Sequence, residues 1–132
     1  MAELKAINPW RWQDAFDYSQ AVQVHQAHRQ LLCSGQTAVD EQGHPQHPGD
    51  MAAQLELAFD NLETVLASAG LSLLNVARLN FYVTDLPAFL AAGAVVSRRL
   101  QALQVKPAGT LLGVSALFHP AIMVEIEATA VE

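Results

Sequence analysis

Two spacings of apolar residues divide this chain into elements. Met51, Leu55, Ala58, Phe59, Leu62, Val65, Leu66 and Ala69 recur every three or four residues. That is one face of an amphipathic helix. Asp50 stands where an N-cap belongs and Gly70 where a left-handed C-terminal cap belongs. From Val76 to Asp85 the spacing changes to two, which predicts a strand. Ala77, Leu79, Phe81 and Val83 share one face, and Arg78, Asn80, Tyr82 and Thr84 the other. Asp85 caps a second helix with Pro87 in its first turn. The stripe Leu86, Phe89, Leu90, Gly93, Val96, Leu100 and Leu103 predicts that this helix runs on until Pro107 stops it. Thr110 to Leu117 reads as a further strand, His119-Pro120 as a turn, and Ile122 to Val131 as the last strand.

The first third is less regular. Residues 1–15 form a polar and aromatic arm containing Trp10 and Trp12. Tyr18 to His25 alternates weakly, and Leu31 to Gln36 is a second short strand, so the two are expected to pair as an antiparallel hairpin. Asp40 to Asp50, rich in Gly, Pro and His, is a loop. The order ββαβαββ gives an α+β fold: a mixed sheet with two helices on one face, in a single domain over residues 1–132. The other face must meet water or another subunit.

Composition narrows the function classes. Of the 132 residues, 52% are hydrophobic and 15% charged, so the chain can bury a core and has few charges to spread over its surface. Part of that surface is expected to lie in an oligomer. A net charge of −6, with Arg98-Arg99 the only adjacent basic pair, argues against a nucleic-acid partner. No apolar run approaches the roughly 20 residues of a membrane span, and residues 1–20 do not read as a signal peptide. A cytoplasmic protein is therefore expected. Cys33, the only cysteine, reads as a buried small residue. His44 and His47, near Asp40 and Asp50, do not form a recognised ligand set, so no metal and no cofactor is expected.

The chemistry concentrates near the end. In Val124-Glu125-Ile126-Glu127-Ala128 the period of two puts both carboxylates on one face. Such a pair is a candidate acid/base site. Glu127 is read as a solvated strand carboxylate, and Glu125 as either that or a site residue.

Further residues join these in a family pattern. They are Tyr18-Ser19-Gln20, Cys33-Ser34-Gly35-Gln36, Gln54, Ala58-Phe59-Asp60-Asn61-Leu62, Ala69-Gly70, Tyr82-Val83-Thr84-Asp85, Pro107-Ala108 and Val124 to Ala128. In that order, from about residue 16 to the end, the chain resembles the RidA/YjgF family of enamine/imine deaminases, also labelled endoribonuclease L-PSP-like. The resemblance implies a chorismate-mutase-like fold, a homotrimer and ligand clefts between subunits. It implies that Glu125 handles the attacking water, that Tyr18, Ser34 and Gly35 line the cleft, and that Arg78 occupies an often-basic position. The arginine that grips a substrate carboxylate in the family falls here on Gly109, and a small polar residue or cysteine falls on Leu111. A guanidinium is a strong, bidentate carboxylate ligand, and glycine offers no charge. Gly109 and Thr110 are then an opened pocket wall, or a turn that has lost its task.

Three functions follow from these readings. The first is a small-molecule hydrolase acting on an enamine, imine or related electrophile, though not a standard 2-imino acid deaminase. The second is a non-catalytic trimer that binds a metabolite or a partner, and the third an endoribonuclease. If only the anchor is missing, Gly109→Arg is expected to create turnover of 2-imino acids.

Overall fold

The computed structural model describes residues 2–132. The element order is β1 (Glu3–Ile7), β2 (Ala21–His25), β3 (Gln30–Leu32), β4 (Gln36–Thr37), α1 (Met51–Ser68), β5 (Val76–Val83), α2 (Leu86–Ala91), α3 (Gly93–Leu100), β6 (Leu111–Gly113) and β7 (Val124–Val131). The main sheet has the order β3-β7-β5-β6, and β4 also pairs with β7. β7 runs antiparallel to β5, β3 and β4, whereas β5 and β6, joined by a helical crossover, are parallel. This is the mixed α+β sheet expected from the order of elements.

The core lies between β7, β5 and α1. On α1, Leu55, Ala58, Phe59, Leu62 and Leu66 are fully buried, and on β7 so are Val124, Ile126 and Ala130. The helix is set at both ends as its sequence indicates. The Asp50 carboxylate accepts the Ala53 N–H at 3.1 Å. Gly70 takes a φ of 75°, which lets the Gly70 and Leu71 N–H groups close on the Ala67 and Leu66 carbonyls.

Four expectations need correction. The arm holds a strand of its own, ahead of the first one expected. Glu3–Ile7 alternates and forms a strand that pairs with β2, Leu4 opposite Val24 and Ala6 opposite Val22. β2 therefore does not form a hairpin with β3. Gln26 turns the chain with a φ of 57°, and the His28 and Arg29 N–H groups then close on the Glu132 carbonyl at 2.6 and 3.1 Å. That capture lays β3 along β7 instead.

The second helix is broken. α2 ends at Ala91, the N–H of the following Ala92 serves the carbonyls of Ala88, Phe89 and Leu90, and α3 starts at Gly93. The break lets α2 bury Phe89 and α3 bury Val95, Val96 and Leu100, while Leu90 is left exposed. α3 stops at Leu100, well before Pro107, because Lys106 Nζ donates to the Leu100 and Leu103 carbonyls at 2.6 and 3.1 Å. Finally, the strand expected over 110–117 is three residues long. β6 has β5 as its one neighbour in the sheet, and the chain departs where β5 ends at Val83.

Gln54, on the buried face of α1, ties the helix to the start of β7. Its amide nitrogen donates to the carbonyls of Ala121 (2.7 Å), Gln46 (3.2 Å) and His47 (3.2 Å), and its oxygen accepts the Met123 N–H at 2.8 Å. A fully buried amide satisfied in this way fixes where β7 begins. Gln54→Leu keeps the bulk and strands these partners. It is expected to lower unfolding stability by about 2–4 kcal/mol, since each buried unpaired group costs roughly 1–3 kcal/mol. Urea unfolding should show a lower midpoint with an unchanged slope.

Candidate functional site

β7 alternates in burial along its length, with Val124, Ile126, Ala128 and Ala130 inward and Glu125 and Glu127 half-buried on the open face. The register sets Tyr82 of β5 and Thr37 of β4 on either side of Glu125, and Asn80 of β5 beside Glu127. The two carboxylates have different surroundings.

Glu127 is tied down. It accepts a short hydrogen bond from the Tyr82 hydroxyl and another from Asn80 Nδ2 at 3.1 Å. These bonds hold its carboxyl below the usual carboxylate range, and they push the Tyr82 phenol up. Asn80 Oδ1 in turn accepts the Thr110 N–H at 3.0 Å. A chain of side chains thus runs from β7 across β5 to the segment before β6. Reading Glu127 as a solvated carboxylate missed this. The signal was Asn80 and Tyr82, polar on alternate residues of the strand that pairs with β7.

Glu125 has no hydrogen-bond partner among the described residues. Its carboxyl lies against Gly35, between β3 and β4. A Cβ on Gly35 would stand 2.5 Å from Glu125 Cδ and 2.7 Å from Oε1. Glycine at 35 therefore leaves the carboxylate its space. Ser34 and Gly35 are exposed beside it, so three of the expected site residues do come together here.

Tyr18, Gly109 and Thr110 gather elsewhere. They line a cavity of about 470 Å³ with Phe16 and Asp17 of the arm, α2, α3 and the apolar face of β5. Tyr18 is placed from behind: Ser19 Oγ donates to the Lys106 carbonyl at 2.6 Å, the Ser19 N–H donates to that of Pro107 at 3.1 Å, and Gln13 Nε2 donates to the Tyr18 carbonyl. Leu79 and Phe81, which floor the cavity, sit on the opposite face of β5 from Asn80 and Tyr82. Within the chain these expected site residues thus form two groups, Glu125, Ser34 and Gly35 on one side of the sheet and Tyr18, Gly109 and Thr110 on the other.

Arg78 belongs to neither group. It is exposed on the open face, bridged through the backbone to Ala108, and makes no ion pair among the described residues. Thr129 stands opposite it on β7, and the nearest acid of that strand, Glu127, is taken by Asn80 and Tyr82. Lys106 is occupied by the end of α3 and cannot supply a charge to the cavity.

Gly109 is more than an absent side chain. The Leu79 N–H donates to the Ala108 carbonyl at 2.8 Å and the Phe81 N–H to that of Thr110 at 2.9 Å, which draws residue 109 against β5. A Cβ there would lie 1.8 Å from the Leu79 carbonyl oxygen. No side chain fits without moving backbone, so the expectation that Gly109→Arg simply restores an anchor does not hold.

Fold and site define a small α+β protein with an acid-bearing central strand and an apolar side cavity. Residues 11–132 match the family model described as endoribonuclease L-PSP. The chain belongs to that family, which is the RidA/YjgF family. It is similar to protein DfrA of Myxococcus xanthus, 38% identical over 96% of this chain and 88% of the relative. Among solved structures, it resembles the Rid-family protein YyfB of Yersinia pestis, described as of unknown function, at 33% identity and a TM-score of 0.88 over 98% of each chain. RidA of an Antarctic Psychrobacter is 32% identical with a TM-score of 0.70, over 87% of this chain and 88% of that one.

The two glycines should respond differently to alanine. At Gly35 the obstacle is a flexible carboxylate, so Gly35→Ala should fold with nearly unchanged stability and turn Glu125 aside. At Gly109 the obstacle is backbone, so Gly109→Ala should cost about 1–3 kcal/mol, as overpacking does. Thermal melts of the two variants compare them directly.

The Glu127 network also has a pH signature. Its carboxyl is depressed in the folded state, so the folded protein binds fewer protons than the unfolded chain as pH falls. The stabilisation is present above the ordinary carboxylate range and is lost as pH drops through the lowered value. Tyr82→Phe should flatten part of the acid limb of a stability–pH curve and leave the shape between pH 6 and 8, chosen as roughly the range free of carboxylate titration, unchanged.

Proposed function

We propose that this chain is a Rid-type hydrolase of small electrophiles, working as a homotrimer with its reaction centres shared between protomers. Glu125, Ser34 and Gly35 of one subunit would face Tyr18, Gly109 and Thr110 of the next. The observation that carries this reading is the state of Glu125. Its side chain is half-buried, unpartnered among the described residues and given room by Gly35, beside a neighbour acid that is hydrogen-bonded twice. A carboxylate held open in this way suits a general base.

In the proposed reaction Glu125 takes a proton from water as the water oxygen bonds to the carbon of a C=N group. The nitrogen gains a proton, the carbinolamine collapses, and ammonia leaves a carbonyl product. The Tyr18 hydroxyl and the Thr110 backbone would orient the substrate. Leu32 and Leu112 support the subunit arrangement. Both are exposed and aligned in register with the open face, at its two edges.

The family's ribonuclease label finds less support. Arg98 and Arg99 are engaged by Glu56, Asp60 and Glu63, and Arg29 by Glu132. The cations thus form no stripe along which a phosphate backbone could run.

Ammonia release from imines and enamines generated in solution tests the reading. Glu125→Gln should lower turnover by about a hundred-fold or more, the usual worth of a general base. Mixing Glu125→Gln with Tyr18→Ala and reassembling trimers should restore activity in about a quarter of the clefts, those with both intact halves. Absence of any recovery, or a monomer in native mass spectrometry, would sink the shared-site reading.

A further inference from the structure

The cavity beside the sheet has a ligand chemistry of its own. Its buried walls are Leu79, Phe89, Val96 and Leu100, with Phe81 half-buried beside them and Leu111 exposed nearer the opening. Leu79 and Leu100 are 3% and 1% exposed, so they form the closed end, while Phe16 and Thr110 are exposed and form the mouth. Phe81 and Phe89, with ring centroids 5.3 Å apart, give that interior an aromatic floor. Its volume of about 470 Å³ lies within the span of small-molecule sites, roughly 300–1,000 Å³.

None of the lining side chains is Lys, Arg or His. The one charged group is the Asp17 carboxylate, which accepts a hydrogen bond from Ser97 Oγ at the rim. Lys106 caps α3, and Arg78, on the other face of the sheet, stands opposite Thr129, four residues along β7 from Glu125. An anion entering this space would lose water, gain no cation and meet a like charge. A neutral apolar body would lose only unfavourable hydration.

We propose that this cavity binds the uncharged aryl or alkyl part of the ligand, and that the substrate class is neutral imines or enamines without a carboxylate. The polar end of the ligand lies at the Tyr18–Thr110 mouth. The proposal rests on the small-molecule reading above and specifies the substrate of that same site. It also gives the arm a task, because Phe16 and Tyr18, linked through Trp12 to Trp10 by successive ring contacts, close one side of the mouth.

Two unreactive probes on one skeleton test it: 4-phenyl-2-butanone, which is neutral, and 3-phenylpropionate, which carries a carboxylate. Each is titrated into the full-length protein at pH 7 and followed by calorimetry and by NMR. The ketone should bind at least ten-fold more tightly than the acid. Gly93→Leu should abolish ketone binding, because Gly93 lines the cavity and a Cβ there meets nothing within 4 Å, so the added side chain fits and fills the space. Val96→Phe should act the same way from the next turn of α3. Equal or tighter binding of the acid overturns the proposal, as does ketone binding that survives both filling variants, or no binding of either probe at millimolar concentration. Loss of the hydrolytic reading alone would show instead as imine turnover indifferent to Glu125→Gln, with the ketone preference intact.

Discussion

The seating of β7 on α1 is the constraint from which the other features follow. Val124 and Ile126 are fully buried against a helix face whose own central residues are fully buried. A period-two strand held this way has no choice about its other face. A slip of one residue would drive Glu125 and Glu127 into the core and bring Val124 and Ile126 into water, which the desolvation cost of two carboxylates forbids. Gln54 adds a polar lock to the apolar one, because its amide reaches both the loop before α1 and the turn before β7. Stability and site placement are therefore one property here.

Two acids that look equivalent in the sequence end with different chemistry. Glu127 spends its oxygen on Tyr82 and Asn80, and through Asn80 it helps hold the Thr110 backbone. It is a structural acid with a depressed pKa. Glu125, two residues away on the same face, meets Gly35, which donates nothing and occupies little. What separates them is that Asn80, opposite Glu127, and Tyr82, which stands opposite Glu125 but reaches along the face, both bond Glu127, an arrangement of the sheet that neither local sequence contains.

Much of this was readable in advance, for physical reasons. α1 combines a clear three-to-four spacing with a capping aspartate and a glycine that takes positive φ. β5 and β7 are long enough for alternation to stand out. Where the reading failed, the deciding partner was distant. β2 and β3 look like a hairpin because they are adjacent, yet β1 and the end of β7 claim them. The alternation of Glu3–Ile7 was present but short. The division between α2 and α3 was hidden because Gly93 fits the apolar stripe as well as it permits a break. In the site, Glu125, Ser34 and Gly35 were found together, and so were Tyr18, Gly109 and Thr110. That the two groups occupy opposite sides of one sheet follows from pleating, and no motif could announce it.

That separation bears on how position 109 differs from the family pattern. In the family resemblance an arginine stands there, so the sequence invites the idea of a simple deletion. The backbone tells against it. The segment from Ala108 to Thr110 is hydrogen-bonded onto β5 and fixed again by Asn80, and the Leu79 carbonyl occupies the place where a Cβ would project. The glycine and the tight edge require each other. With residue 109 drawn in, the adjoining wall is built from Leu79, Phe81 and Leu111 and offers no charge to an anion. Removing a cation from a carboxylate pocket and leaving the rest unchanged would give a weaker version of the same specificity. On the proposal made above, a wall of apolar side chains with an acid at its rim gives the opposite preference.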